Sequence, residues 1–274
     1  MEPAAIIAEI ESRARRIETP CGAGTMAWRV WGQGAPLVLG HGAGGSWMHW
    51  IRNIDALVAA GRQVIAVDLP GNGASADPAT PDHPGISAAL EAGLRVVLGD
   101  PRPVDFAGFS FGGVCFAWFA GFHPEWVRHL VLIGCGGLDT PRGHTQRVKV
   151  SGLRGQERED ALNFNLNSIM LHEAASTDAL GRHIIIADVR KDSALSVLHL
   201  VLPDRLLQAL PRVKAPVDAI WGEFDRPHPD PALQLAAIHR THPHARLRVM
   251  PAAGHWAMYE RPELLQAALL ELLG

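Results

Sequence analysis

The stretch Val104-Asp105-Phe106-Ala107-Gly108-Phe109-Ser110-Phe111-Gly112-Gly113 decides how the chain is read. Apolar and β-favouring residues lead into Gly108-Phe109-Ser110-Phe111-Gly112, and a helix-like run from Val114 to Phe122 follows. The order is strand, sharp turn, helix, with a serine at the apex and a glycine two positions away on each side. So tight a turn strains the serine backbone and leaves room only for neighbours without side chains. A glycine-serine-glycine loop is also an ordinary turn in many chains. The rest of the sequence has to supply the partners that a serine nucleophile needs.

Outward from this turn, the chain alternates buried strands with helices. Pro36 to Gly40 is a short apolar run of the kind buried on both faces, and it empties into His41-Gly42-Ala43-Gly44-Gly45-Ser46. Trp47 to Ala60 has helical spacing, Gln63 to Asp68 is the next strand, and Ile86 to Leu98 the next helix. Val127 to Ile133 is a further strand, closed by Gly134-Cys135-Gly136-Gly137. Near the amino terminus, residues 3–17 suggest an amphipathic helix and Thr25 to Trp31 an edge strand. This rhythm predicts an α/β protein with a mostly parallel central sheet flanked by helices. Between about Leu138 and Leu210 the rhythm breaks into helical segments, with Ala161 to Met170 and Ala194 to Leu202 as candidates. The expected organisation is a core of residues 1–137 and 211–274 with a helical cap, 138–210, inserted. The sheet pattern resumes at Ala215 to Trp221, followed by a helix near Pro231 to His239, a strand at Arg246 to Met250 and a last helix, Pro262 to Leu273.

Composition sets the limits. The 274 residues are 47% hydrophobic and 19% charged, with a net charge of −3, which describes a globular chain and gives no footprint for nucleic acid. Three scattered cysteines, Cys21, Cys115 and Cys135, lack metal-ligand spacing and suit a reducing compartment. The first residues carry early acids and no uninterrupted apolar core, so they do not read as a secretory signal. No window approaches the roughly 18 apolar residues of a membrane span. A cytoplasmic protein acting on a small molecule is expected, with room for a homo-oligomer.

A serine needs a base, and the base needs an orienting carboxylate. In this strand order the acid and then the histidine should follow the nucleophile, each just beyond a later strand's carboxyl end. The strand ending at Trp221 is followed by Gly222-Glu223-Phe224-Asp225-Arg226, and the one ending at Met250 by Pro251-Ala252-Ala253-Gly254-His255-Trp256. Ser110, Asp225 and His255 are therefore the candidate triad, with Glu223 a rival acid. Two N–H donors are needed to hold a developing oxyanion. The amides of Phe111, after the serine, and Ala43, in the glycine-rich loop, are the candidates. His49 either lines the pocket or starts a helix. The cluster His239, His242 and His244 lies on a proline-broken loop and predicts no metal site. Chemistry of this kind calls for neither metal nor cofactor.

With these residues in place, the chain resembles an α/β-hydrolase-fold serine hydrolase over nearly its whole length. Within that group it resembles capped carboxylesterases and the meta-cleavage-product hydrolases that break a C–C bond. The resemblance rests on His41-Gly42-Ala43-Gly44-Gly45, Asp68-Leu69-Pro70-Gly71-Asn72-Gly73, the serine turn, Phe224-Asp225-Arg226, Gly254-His255-Trp256-Ala257, and Asn165 to His172 in the cap. It implies that Arg190 meets a substrate carboxylate and that Trp256 lines the pocket, although Arg190 also suits a solvated helix face. Two positions depart from the C–C hydrolases: Phe109 stands where they usually have asparagine, and Gly45 where they usually have proline. The expected function is hydrolysis of a carboxylic ester with an apolar acyl or aryl part. The alternatives are hydrolysis of a vinylogous diketone and a non-catalytic ligand receptor.

Overall fold

The computed structural model describes residues 2–188 and 197–274. Arg190 therefore lies outside the described residues. Eight strands form one sheet: β1 (Arg15–Cys21), β2 (Gly24–Trp31), β3 (Ala35–Gly40), β4 (Arg62–Val67), β5 (Val104–Phe109), β6 (Val127–Ile133), β7 (Val217–Gly222) and β8 (Leu247–Met250). Their order is β1-β2-β4-β3-β5-β6-β7-β8. The six strands from β4 to β8 in this order run parallel, while β1 and β2 add an antiparallel edge.

Alternation along the strands fills two cores, because successive side chains point to opposite faces. Val38, Ile65, Phe106, Leu130, Leu132 and Trp221 pack on one face with the helices His83–Leu98 and Phe111–Phe122. Leu37, Leu39, Val64, Phe109, Val131 and Ile220 pack on the other with Trp47, Trp50, Ile54 and the helix Pro262–Leu273. Sequence periodicity anticipated the parallel strands and the last helix closely.

Three local expectations need correction. The first helix spans Pro3–Ser12 and stops well short of residue 17, because β1 begins at Arg15. β1 is a half-exposed outer strand in which Thr19 and Cys21 turn inward, and it covers β2, so the edge of the sheet is β1 and not Thr25 to Trp31. Trp47 to Ala60 is not one helix but a 3-10 turn, Trp47–Trp50, followed by the helix Ile54–Ala59. The apolar residues keep helical spacing, yet His49, Ile51 and Asn53 each bond back only three residues, to Ser46, Met48 and Trp50. Between β6 and β7 the described residues contain helices and no strand: Gly155–Asn165 running into one π-helical turn, Leu166–Met170, then Ala179–Asp188, Val197–Val201 and Arg205–Ala209.

Register brings the site together. Gly40 pairs with Gly108, Phe109 with Ile133, Ile133 with Ile220, and Gly222 with Met250. The carboxyl ends of β3, β5, β6, β7 and β8 thus stand side by side, and every loop that carries a candidate residue leaves from that one edge.

Candidate active site

Ser110 sits between β5 and the helix Phe111–Phe122 with φ 50° and ψ −114°. A non-glycine residue held there is strained by roughly 1–3 kcal/mol, which the surrounding structure must offset. Its amide donates to the carbonyl of Ile133 at 2.8 Å. A Cβ on Gly108 would stand 2.5 Å from Gly113 Cα, and one on Gly112 would stand 2.7 Å from the Gly40 carbonyl carbon. The flanking glycines therefore let strand, helix and the β3 loop approach one another closely. Phe111 is the first residue of the helix, so its amide belongs to the first turn and has no intrahelical acceptor.

The loop after β3 makes a turn, closed by the Gly45 amide donating to the Gly42 carbonyl at 3.1 Å, with Gly44 at φ 65°. Its amides are largely committed. Gly42 N–H donates to His49 Nδ1 at 3.2 Å, and Gly44 N–H to Asn72 Oδ1 at 3.0 Å. The amide of Ala43, on the exposed crest of the turn, has no hydrogen bond among the described residues. A Cβ on Gly42 would lie 3.5 Å from Ser110 Cβ, so the loop runs directly beside the serine. His41 ties the loop inward: its Nε2 accepts from the Leu69 amide at 2.9 Å, which leaves Nδ1–H to donate to the Gly42 carbonyl at 2.7 Å. Burial pushes the His41 pKa down, in keeping with this neutral tautomer.

Asp225 and His255 meet as the chain order required. His255 Nδ1 lies 2.8 Å from Asp225 Oδ2, and both residues are buried. The second carboxylate oxygen of Asp225 accepts from the His228 amide at 2.9 Å. With Nδ1 committed to the acid, Nε2 is the nitrogen left to exchange a proton. Glu223, the rival acid, is exposed and accepts from the Ala252 amide at 2.9 Å, away from the imidazole. A further residue of the site is Gly134, just past the end of β6. With φ 53°, it leaves the space into which the pair fits, since a Cβ there would lie 3.0 Å from Asp225 Oδ2 and 3.2 Å from His255 Nδ1. The only signal for it in the sequence was the glycine cluster closing that strand.

The expected pocket residues form an aromatic wall against the imidazole. The Phe109 ring centroid is 4.8 Å from that of His255 and 5.7 Å from that of His49; His49 is 5.0 Å from Trp256. All three side chains are nearly fully buried. Trp256 Nε1–H donates to the His49 carbonyl at 3.0 Å. Burial, then His41, then His255 hold the His49 pKa well below its ordinary value, so its ring is neutral. His49 also accounts for the glycine at 45: a Cβ there would come within 2.3 Å of the His49 ring. His228, a second imidazole 5.5 Å from His255, is pushed down to about 4, chiefly by burial and then by His255. Among the described residues no group of three or more His, Cys, Asp or Glu side chains is arranged to hold a metal ion.

This fold and this edge of loops define a class, and the chain belongs to the α/β hydrolase family, whose pattern it matches over residues 37–268. It is similar to the 2-hydroxy-6-oxononadienedioate/2-hydroxy-6-oxononatrienedioate hydrolase of Burkholderia vietnamiensis, with 34% identity covering 86% of each chain. It is also similar to the 2-hydroxy-6-oxo-6-phenylhexa-2,4-dienoate hydrolase of Burkholderia cepacia, with 30% identity covering 88% of each. Among solved structures, a thermophilic esterase from Thermogutta terrifontis superposes with a TM-score of 0.74 at 23% identity, over 95% of this chain and 98% of that one. The meta-cleavage product hydrolase from Pseudomonas fluorescens IP01 superposes with a TM-score of 0.76 at 18% identity, over 94% and 98%. The structural likenesses speak for the fold. The protein is a hydrolase, and no helix among its described residues is long and apolar enough to cross a membrane.

Proposed function

We propose that the protein is a serine hydrolase of carboxylic esters with an apolar acyl or aryl part. The observation that carries this is the 2.8 Å pair of Asp225 with His255 Nδ1, on loops that leave the same sheet edge as a serine held at φ 50°. In the proposed cycle Ser110 Oγ attacks the ester carbonyl carbon while His255 Nε2 takes the hydroxyl proton. Asp225 keeps the imidazole in the correct tautomer and stabilises the imidazolium. The amides of Ala43 and Phe111 donate to the tetrahedral oxyanion. Collapse breaks the C–O bond, and His255 returns its proton to the departing alkoxide, leaving an acyl-serine. Water, deprotonated by His255, then releases the carboxylic acid and restores Ser110. No cofactor enters. Residues 138–210 would act as the cap that covers the acyl site, and the three buried free thiols suit a cytoplasmic setting.

The wall of Phe109, His49 and Trp256 supports a neutral, apolar substrate. Its rings are uncharged, although the buried Asp188 carboxyl lies 3.7 Å from His49 Nε2, and Phe109 offers no side-chain amide to a polyoxygenated substrate. A second reading, hydrolysis of the C–C bond of a vinylogous diketone by the same triad, is favoured by the Burkholderia relatives. The test is turnover of p-nitrophenyl butyrate beside a ring-fission dienoate, with wild type and Arg190→Ala. The ester should be cleaved, and the substitution should change its kcat/KM by less than tenfold, about 1.4 kcal/mol. Efficient cleavage of the dienoate, lost about a hundredfold or more in Arg190→Ala, would move the assignment to the C–C reaction. Turnover of neither would point to a receptor.

A further inference from the structure

Glu260 is 6% exposed and follows His255 by five residues. No ion pair to its carboxylate occurs among the described residues; backbone amides hold it instead. Gly254 N–H, next to His255, donates to Oε2 at 2.6 Å. His172 N–H donates to both oxygens, at 2.9 and 3.0 Å, and Glu173 N–H to Oε1 at 3.0 Å. A buried carboxylate is tolerable only when its charge is met in this way, and charge-assisted bonds of this kind are about twice as strong as neutral ones. One carboxylate thus joins the histidine loop to a segment more than eighty residues away in the chain.

The same segment is bound to both triad loops. The Trp256 amide donates to the Met170 carbonyl at 2.7 Å, and a Cβ on Gly254 would come within 2.7 Å of His172 N. On the acid's side, Arg226 donates to the Leu171 carbonyl at 3.1 Å, and the His172 ring stacks on Phe224 with centroids 3.8 Å apart. Residues 170–173 therefore lie across the loops of Asp225 and His255 together.

We propose that Glu260 is a positioning residue for His255: its carboxylate fastens the Gly254–His255 loop to residues 170–173, so that the seating of the inserted segment sets where the imidazole stands. This rests on the serine-hydrolase reading above. Glu260→Gln keeps the shape but turns one acceptor oxygen into a donor, which must face an N–H on one side of the junction. His172→Pro removes an amide from the other side, and the extended backbone of Leu171, ψ 145°, suits the residue before a proline.

Each variant is assayed below its unfolding temperature, with circular dichroism matching wild type. Both should lower kcat on p-nitrophenyl butyrate by roughly 10- to 100-fold, the scale of a displacement of about 1 Å, with KM within about twofold. Two readouts do not depend on the natural substrate. The rate at which a fluorophosphonate labels Ser110 should fall in step with kcat. The low-field proton resonance of His255 Nδ1–H should broaden or shift. Wild-type labelling rate and an unchanged resonance in a folded Glu260→Gln protein would overturn the proposal and leave Glu260 a purely structural residue. If Glu260→Gln does not fold, the same two readouts on His172→Pro decide. If wild type itself is not labelled at Ser110, the hydrolase reading fails, and the resonance alone decides whether Glu260 positions the imidazole.

Discussion

Among the described residues, two buried aspartate–histidine hydrogen bonds lie at opposite edges of the sheet, one beyond the carboxyl end of β7 and one towards its amino end. At the carboxyl edge, Asp225 meets His255 at 2.8 Å. At the amino edge, Asp218 in β7 meets Nε2 of His129 in β6 at 2.9 Å, beside a cleft of about 400 Å³. By distance and burial the pairs are alike. They differ in what surrounds the carboxylate. Asp218 also takes the Arg246 amide at 2.6 Å and its guanidinium, as close as 2.6 Å, so a fixed cation shares its charge. Burial pushes Asp218 up, but the hydrogen bonds from His129 and Arg246 outweigh it and hold the group at about 2. Asp225 has no such cation among the described residues; its second oxygen takes one amide, and its charge is directed to His255. Among the described residues no strained serine accompanies Asp218; the non-glycine residues with positive φ are Ser110, Asp139, Asp230 and Ala252. An aspartate–histidine pair beside a cleft is therefore not by itself a catalytic device. In the proposed mechanism, the serine on a strained turn at the carboxyl edge makes the difference.

The largest test of this contrast is Ser110→Ala, which should lower kcat by about 10⁶-fold if the three groups act as a unit. Its melting temperature should stay near that of wild type, and fluorophosphonate labelling should vanish. Activity close to wild type would remove the serine from the mechanism. Next in size, Asp225→Asn should cost roughly 10⁴-fold in kcat, while Asp218→Asn and Glu223→Gln stay within about threefold. Equal losses in Asp225→Asn and Asp218→Asn would erase the distinction between the two ends.

The smallest effect concerns stability. Asp218 is held at about 2, below its ordinary 3.8, so the stability it contributes is present above about pH 4 and is lost as pH falls towards 2. Asp218→Asn should melt a few degrees lower at neutral pH, and its melting temperature should fall less steeply than that of wild type between pH 4 and 2. Parallel acid limbs for the two proteins would show that Arg246 and His129 do not hold this carboxylate as described.

The serine turn could be read from residues in sequence because its demands are local: a strained apex and glycines close enough in the chain to make room. The buried parallel strands announced themselves as short apolar runs, and the sheet's one-directional edge then put Asp225 and His255 in loops beside Ser110. β1 escaped notice because an outer strand buries only every second side chain, and its charged residues merge with the polar face of the preceding helix. The break after Trp50 escaped because helical spacing of apolar residues does not distinguish a 3-10 turn from a longer helix.

What the sequence determined by itself was therefore the α/β-hydrolase architecture and the order in which the loops carrying Ser110, Asp225 and His255 leave the sheet. Only the tertiary structure decided that Gly134 opens the space for the Asp225–His255 pair, that Gly45 is required by the His49 ring, and that Glu260 ties Gly254 to His172. The physical reason is the kind of partner involved. Strain, periodicity and loop order act between neighbours along the chain and leave a side-chain signature, whereas a missing Cβ or a carboxylate on distant backbone amides acquires its role only when separate segments meet, and any residue type except proline can supply the amide.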